Sequence, residues 1–125
     1  MVAVEVDNRS GVEIEEDEAV ALARTVLAEE GVDDGELGLH FVGPDEIRTL
    51  KREHLGIDEV TDVLSFPIDA RDPLEPGLPR QLGDAVLCPQ VVGEAWRPPL
   101  VHALLHLLGY EHGAEMEGRE AELAS

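Results

Sequence analysis

Short stretches in which hydrophobic and polar residues alternate are separated by stretches in which the hydrophobic residues recur at helical spacing. Alternation of the first kind predicts β-strands. Two strands are predicted on this basis, at residues 2–6 and 37–42, and short apolar segments at residues 60–67 and 82–88 predict two more. Residues 69–80 contain three prolines and a glycine, a composition that predicts a loop between the last two strands.

Helices are predicted in the intervening segments. The first covers about residues 17–30, and its predicted inward face consists of Ala19, Val20, Ala23, Val26 and Leu27. The second begins at residue 44 and ends near residue 56, with Ile47 and Leu50 buried. A third has prolines at residues 98 and 99, which suit the first turn of a helix. A short acidic helix is predicted over residues 115–123.

Interleaved strands and helices predict an α+β fold, in which a small mixed four-stranded sheet packs with helices and the third helix lies at the centre. The length of 125 residues and the hydrophobic fraction of 43% are typical of a single domain, here residues 1–125. No apolar run reaches membrane-spanning length, and the N-terminus lacks the pattern of a signal peptide. The single cysteine, Cys88, cannot form an internal disulfide. We therefore expect a cytoplasmic protein without membrane partners.

Three histidines near the C-terminus are spaced for metal binding. His102 and His106 are four residues apart and lie on one face of a helix. Gly109 can adopt the left-handed conformation that ends a helix, which would return His112 toward the same face. A hydrogen-bonded core histidine is the alternative for each, but two imidazoles buried among leucines without partners would be costly. We predict a metal-binding helix near the C-terminus, with His102, His106 and His112 as the ligands.

A site with three protein ligands favours catalysis, because structural zinc sites normally have four. Zinc is the expected ion, although nickel or another divalent metal also suits three imidazoles. Water in the open position can lose a proton near neutral pH, which favours hydrolysis. Ala103 replaces the glutamate that serves as general base in H-E-x-x-H peptidases, so peptide hydrolysis by that mechanism is disfavoured. The sequence identifies no general base, although Glu111 is the carboxylate nearest to the ligands along the chain.

The net charge of −19 argues against a nucleic acid partner, because phosphate binding usually requires a basic surface. Arg48, Lys51 and Arg52 stand out from this background, since they share one face of the second helix. They form either a phosphate-contacting patch or an ordinary helix surface paired with acidic neighbours. On the first interpretation they are the candidate substrate-binding residues.

Polar residues inside the predicted strands form a further group of candidates. They are Thr61, Asp62, Ser65 and Asp84. Each can orient a ligand histidine or contact substrate. The simpler interpretation, favoured for each residue singly, is that Thr61 and Asp62 cap a turn and Asp84 lies at a strand edge.

Three sequence blocks occur together in this chain, namely T-D-V-L-S-F-P at residues 61–67, L-G-D-A-V at 82–86 and H-A-L-L-H-L-L-G-Y-E-H at 102–112. Together they resemble the YbeY family of bacterial metal-dependent endoribonucleases. The resemblance implies an endonuclease of single-stranded RNA that acts in small-subunit ribosomal RNA maturation and ribosome quality control. It also implies zinc held by His102, His106 and His112, and ribosomal RNA or ribosomal particles as partners. A metallohydrolase of a small ester and a non-catalytic, metal-stabilised ribosome-associated module are the alternatives.

The chain departs from the family pattern before the first of these blocks. Where many members have an arginine linked to nuclease activity, this chain has Leu55. Lys51 or Arg52 would then supply the positive charge. The segments between Cys88 and His102 and after His112 also look shorter than in the family, which would weaken substrate binding while leaving the metal site intact.

Overall fold

The computed structural model describes residues 1–124. The predicted strands and helices follow one another along this part of the chain in the predicted order. They are β1 (Val2–Asn8), α1 (Glu16–Glu29), β2 (Gly35–Phe41), α2 (Pro44–Leu55), β3 (Val63–Pro67), β4 (Gln81–Leu87), α3 (Pro89–Val92), α4 (Arg97–Leu107) and α5 (Ala114–Ala124). The single turn α3 was not predicted. Among residues 1–124, no helix combines the length and the apolar character that crossing a membrane requires.

The four strands form one mixed sheet in the order β1-β2-β4-β3. Pairing is parallel between β1 and β2 and between β2 and β4, whereas β3 pairs antiparallel with β4. The predicted α+β fold with a mixed four-stranded sheet is confirmed. The third strand begins at Val63 rather than at residue 60, since the chain bends at Asp62, whose carboxylate accepts a hydrogen bond from the Val63 N–H at 2.9 Å.

The main core lies between one face of the sheet and the helices α1, α4 and α5. Successive residues of a strand point to opposite faces, so alternate residues of β2 and β4 reach this core. These strand residues are Leu37, Leu39, Phe41, Ala85 and Leu87, and all are buried. Of the residues predicted to face inward from α1, only Val20 is not buried.

A smaller apolar cluster occupies the second face of the sheet, beneath α2. It contains Val42, Ile47, Leu64, Val86 and Cys88, with Leu50 packed against it. The helix α2 ends where predicted, since Gly56 adopts the left-handed conformation with φ of 72°. The two helical layers therefore lie on opposite sides of the sheet, and α2 is separated from α4.

Helix α4 lies at the centre of the main core, as predicted. It contacts α1, α5, β3 and β4. Its buried residues are Leu100, Val101, Ala103, Leu104, Leu105 and Leu107. Burial of a leucine or valine side chain contributes about 1.5–3 kcal/mol, so this helix is held firmly in place. His102 and His106 are half-buried among these residues, and the surrounding packing fixes their backbone positions.

Candidate metal centre

The structure brings the three predicted ligands together. The ring centroids of His102 and His106 are 4.6 Å apart, and the ring of His112 lies 5.2 Å and 4.6 Å from them. Each residue offers one nitrogen such that the three nitrogens all lie within 4.8 Å of one another. His112 is exposed, whereas the other two rings are half-buried, so the cluster opens to solvent on the His112 side.

The turn after α4 returns the chain to the helix. Gly109 has φ of 97°, and its N–H donates to the carbonyl oxygen of His106 at 3.0 Å. The N–H of Tyr110 donates to the carbonyl oxygen of Leu105, also at 3.0 Å. These two bonds form a Schellman motif, which requires a left-handed residue that glycine adopts without strain. The predicted role of Gly109 is thus confirmed, and the motif places His112 beside His106.

Hydrogen bonds fix which ring nitrogens face the centre of the cluster. The Nδ1 of His106 lies 2.9 Å from the carbonyl oxygen of Tyr110, which can only accept, so this Nδ1 carries the proton and Nε2 has a free lone pair. The Nδ1 of His102 lies 2.9 Å from the Oε2 of Glu120. Both Nε2 atoms are therefore left to point toward each other.

The distance between the two Nε2 atoms suits a shared metal ion. They are 3.1 Å apart. Two nitrogens bound at 2.0–2.1 Å to a tetrahedral zinc ion would lie about 3.3 Å apart. Lone pairs facing each other at this separation repel unless a proton or a cation lies between them. The geometry and the chemistry of these donors both fit a divalent metal ion.

The environment also favours the neutral, metal-binding form of His106. Its pKa is lowered from the usual histidine value, mainly because burial disfavours the charged ring. The neighbouring His102 and His112 lower the pKa further, against the opposing effects of the Tyr110 carbonyl and the Glu120 carboxylate. A neutral imidazole retains the lone pair that a metal ion requires.

Comparison with known proteins extends to nearly the whole chain. The family model for endoribonuclease YbeY matches residues 5–124. The chain is 34% identical to the endoribonuclease YbeY of Mycobacterium ulcerans, over 95% of this chain and 76% of that protein. The chain belongs to the endoribonuclease YbeY family. Another member, the endoribonuclease YbeY of Salinispora tropica, is 37% identical over 95% of this chain and 88% of its own length.

The fold of a solved structure agrees with this membership. A Thermotoga maritima protein whose structure was determined in solution superposes with a TM-score of 0.58 and 24% sequence identity. The match covers 99% of this chain and 87% of that one. At this identity the likeness concerns the fold alone, and it shows that the arrangement of sheet and helices occurs in another solved protein.

Glu120 is a functional candidate that sequence reasoning missed. It lies on α5 between Met116, which is buried, and Leu123, which packs against the main core. These three positions share one helical face, so a carboxylate interrupts an otherwise apolar stripe. That interruption was the available signal, because a carboxylate on a core-facing stripe requires a partner. Glu111, the carboxylate nearest to the ligands in sequence, is exposed.

The candidate substrate-binding residues lie apart from the histidines, because α2 covers the opposite face of the sheet. Arg48 forms a two-pronged ion pair with Asp58, with bonds of 2.7 and 3.1 Å. Lys51 donates to Glu59 at 2.6 Å, and Arg52 lies 3.9 Å from Asp58. Each of the three cations thus has an acidic neighbour from the segment after α2, and their role in substrate binding stays a prediction.

The contacts of the polar strand residues do not include the three histidines. Asp62 caps the start of β3, as the simpler interpretation predicted, and Thr61 donates to its carboxylate at 3.3 Å. Asp84 lies within the interior strand β4 rather than at a strand edge, and on the second face of the sheet its Oδ1 is 2.8 Å from the Nε2 of His40. Ser65 pairs with Ala85 in the register of β3 and β4 and shares its face with the main core. Asp84 therefore faces away from the histidine cluster.

Proposed function

We propose that this protein is a metal-dependent endoribonuclease that hydrolyses phosphodiester bonds in single-stranded RNA. In this proposal His102, His106 and His112 hold one zinc ion or another divalent metal. The observation that supports it most strongly is the pair of Nε2 atoms that face each other at 3.1 Å while both Nδ1 atoms are engaged elsewhere. Membership of a family named for endoribonuclease activity supports RNA as the substrate.

The residues around the three histidines orient the rings for metal binding and leave the cluster accessible. When bound, a divalent cation would lower the pKa of a water molecule and stabilise the charge that develops on a phosphate oxygen. Glu120 and the Tyr110 carbonyl hold the rings of His102 and His106 in the orientation that presents Nε2. The exposed position of His112 leaves one side of the cluster accessible to a polymer.

We further propose that the natural substrate is small-subunit ribosomal RNA, free or in ribosomal particles in the cytoplasm. The biological roles would be ribosomal RNA maturation and ribosome quality control. The net charge of −19 opposes general adhesion to RNA, so binding must rely on a few local cations. Arg48, Lys51 and Arg52 are the proposed contacts, and RNA phosphates would have to displace Asp58 and Glu59 from them.

Metal content and RNA cleavage measured on the same samples test the proposal. The native protein is expected to contain about one divalent ion per chain and to cleave single-stranded RNA, whereas His106→Ala loses both properties. His54→Ala is the matched control, because this exposed histidine lies on α2 beside the ring of Phe66, outside the cluster. It should retain both metal and cleavage.

Two results would contradict the proposal and point to its alternatives. A metal-loaded native protein that hydrolyses small esters but not RNA would be a different metallohydrolase. A metal-loaded protein that binds ribosomal particles and leaves RNA intact at high concentration would be a non-catalytic ribosome-associated module.

A further inference from the structure

Glu30, at the end of α1, is a buried carboxylate with three side-chain partners. Only 5% of its side chain is exposed. Its Oε1 accepts hydrogen bonds from the Tyr110 hydroxyl at 2.8 Å and from Arg71 at 2.9 Å, and its Oε2 accepts one from Arg119 at 2.5 Å. Burial of a carboxylate is costly unless it is paired in this way. The carboxylate therefore joins α1 to the loop before β4, to the turn after α4 and to α5.

The Tyr110 contact connects this carboxylate to the candidate metal centre. Both the side chain and the backbone of Tyr110 are held by hydrogen bonds. Its hydroxyl donates to Glu30, and its carbonyl oxygen accepts a hydrogen bond from the Nδ1–H of His106. The distance from that carbonyl oxygen to Nδ1 is 2.9 Å. Two residues further along the chain, the same turn delivers His112. A shift of Tyr110 would therefore change both the ring orientation of His106 and the position of His112.

We propose that Glu30 is a positioning residue for the metal centre. By holding the Tyr110 hydroxyl it fixes the turn that orients His106 and returns His112. The inference rests on the proposed function, because it assumes that the three histidines bind a metal ion. The competing interpretation is that Glu30 only braces α1 against α5 through Arg119 and contributes to stability alone.

Two variants separate these interpretations. Glu30→Gln removes the charge and weakens all three contacts, whereas Tyr110→Phe removes only the hydroxyl and leaves Arg71 and Arg119 on the carboxylate. Loss of a group that orients a metal ligand typically weakens metal affinity by 10–100-fold. We therefore expect both variants to bind cobalt(II) at least about tenfold more weakly than the native protein. The double variant should bind cobalt(II) only slightly more weakly than either single variant, because both changes break the same contact between Glu30 and Tyr110.

The experiment is a cobalt(II) titration of the metal-free protein, followed by the visible absorption of the bound ion. Glu29→Gln is the matched control, since it makes the same substitution at the adjacent, exposed position. It should titrate like the native protein. Circular dichroism verifies that each variant is folded, and Tyr110→Phe decides the question if Glu30→Gln does not fold. In the two folded variants, the absorption band of bound cobalt should also change, which a purely structural brace would not cause.

The failures of the inference and of the proposed function are distinguishable. If the native protein binds no cobalt, the metal site itself is wrong and the inference is lost with it. If the native protein binds cobalt and Tyr110→Phe binds it equally well with an unchanged spectrum, the metal site stands and Glu30 is only a brace.

Discussion

The Nδ1 atom of His102 lies 2.9 Å from the Oε2 atom of Glu120, a residue 18 positions later in the chain. Both side chains are about three-quarters buried, since 27% of His102 and 25% of Glu120 are exposed. A carboxylate in this position orients the imidazole and makes its other nitrogen a better metal ligand. Helix α5 therefore contributes to the candidate centre although it carries none of the three histidines.

Replacement of Glu120 by glutamine should weaken metal binding by about 10–100-fold while the protein remains folded. The amide preserves the shape of the side chain but removes the negative charge that supports His102. Glu117→Gln is the matched control, because Glu117 is exposed on the same helix. Competition with a chromophoric zinc chelator measures the affinities. Equal affinities for the two variants would show that the Glu120 contact has no influence on the centre.

Stability at acidic pH should depend on Glu30. Burial alone would raise its pKa, but the hydrogen bonds from Arg119 and Tyr110 and the charges of Arg119 and Arg71 outweigh burial and lower the pKa below the usual 4.5. A lowered folded-state pKa gives a stabilisation that is complete above the unfolded-state pKa and is lost as the pH falls through the folded-state value.

As the pH falls below about 5, the native protein should therefore lose stability more steeply than Glu30→Gln, which has no carboxyl group to protonate at this position. Urea denaturation of both proteins across this range measures the difference. All other carboxyl groups are common to the two proteins. If the free energies of unfolding of the two proteins fall in parallel with pH, Glu30 has an ordinary pKa in the folded state.

Two glycine substitutions should change stability in opposite directions. Gly83 has φ of 121°, and a Cβ atom there would overlap the carbonyl oxygen of Phe66 on β3. Gly83→Ala should destabilise the fold by more than about 2 kcal/mol. Gly118 lies in α5 with no atom within 4 Å of an added Cβ, and Gly118→Ala should stabilise by about 0.5–1 kcal/mol. Urea denaturation measures both effects. An unchanged free energy of unfolding in Gly83→Ala would contradict the close approach of β3 to Gly83.

The cations of α2 should contribute to RNA binding through their charge. Lys51→Ala should weaken binding and make the dependence of log affinity on log salt shallower by about 0.7, the value expected for one contact to single-stranded RNA. Asp58→Asn should strengthen binding, because it releases Arg48 from its ion pair. Arg97→Ala, which removes a cation outside α2, is the control. Fluorescence anisotropy with labelled RNA at several salt concentrations measures these effects, and an unchanged salt dependence for Lys51→Ala would exclude the contact.

Local patterns were sufficient to predict the fold class and the histidine cluster. Alternating residues and short apolar segments identified the strands, and the spacing of His102 and His106 placed them on one helical face. Gly109 then indicated the turn that returns His112. These features depend on residues close together in sequence, so they could be predicted without knowledge of the tertiary packing.

The supporting residues could not be predicted in the same way. Glu30 and Tyr110 are 80 positions apart, and Glu120 reaches His102 only because α5 packs along α4. Nothing local specifies which of many glutamates in an acidic chain occupies such a position. Long-range contacts of this kind follow from the assembled core rather than from periodicity.

The central claim is that three imidazoles share one divalent cation, and an anomalous difference map tests it most directly. Crystals grown with zinc should show a peak at the zinc absorption edge, about 2.0–2.1 Å from a nitrogen of each of His102, His106 and His112. A well-ordered crystal with ample zinc, no anomalous peak at this position and the three rings turned apart would contradict the account.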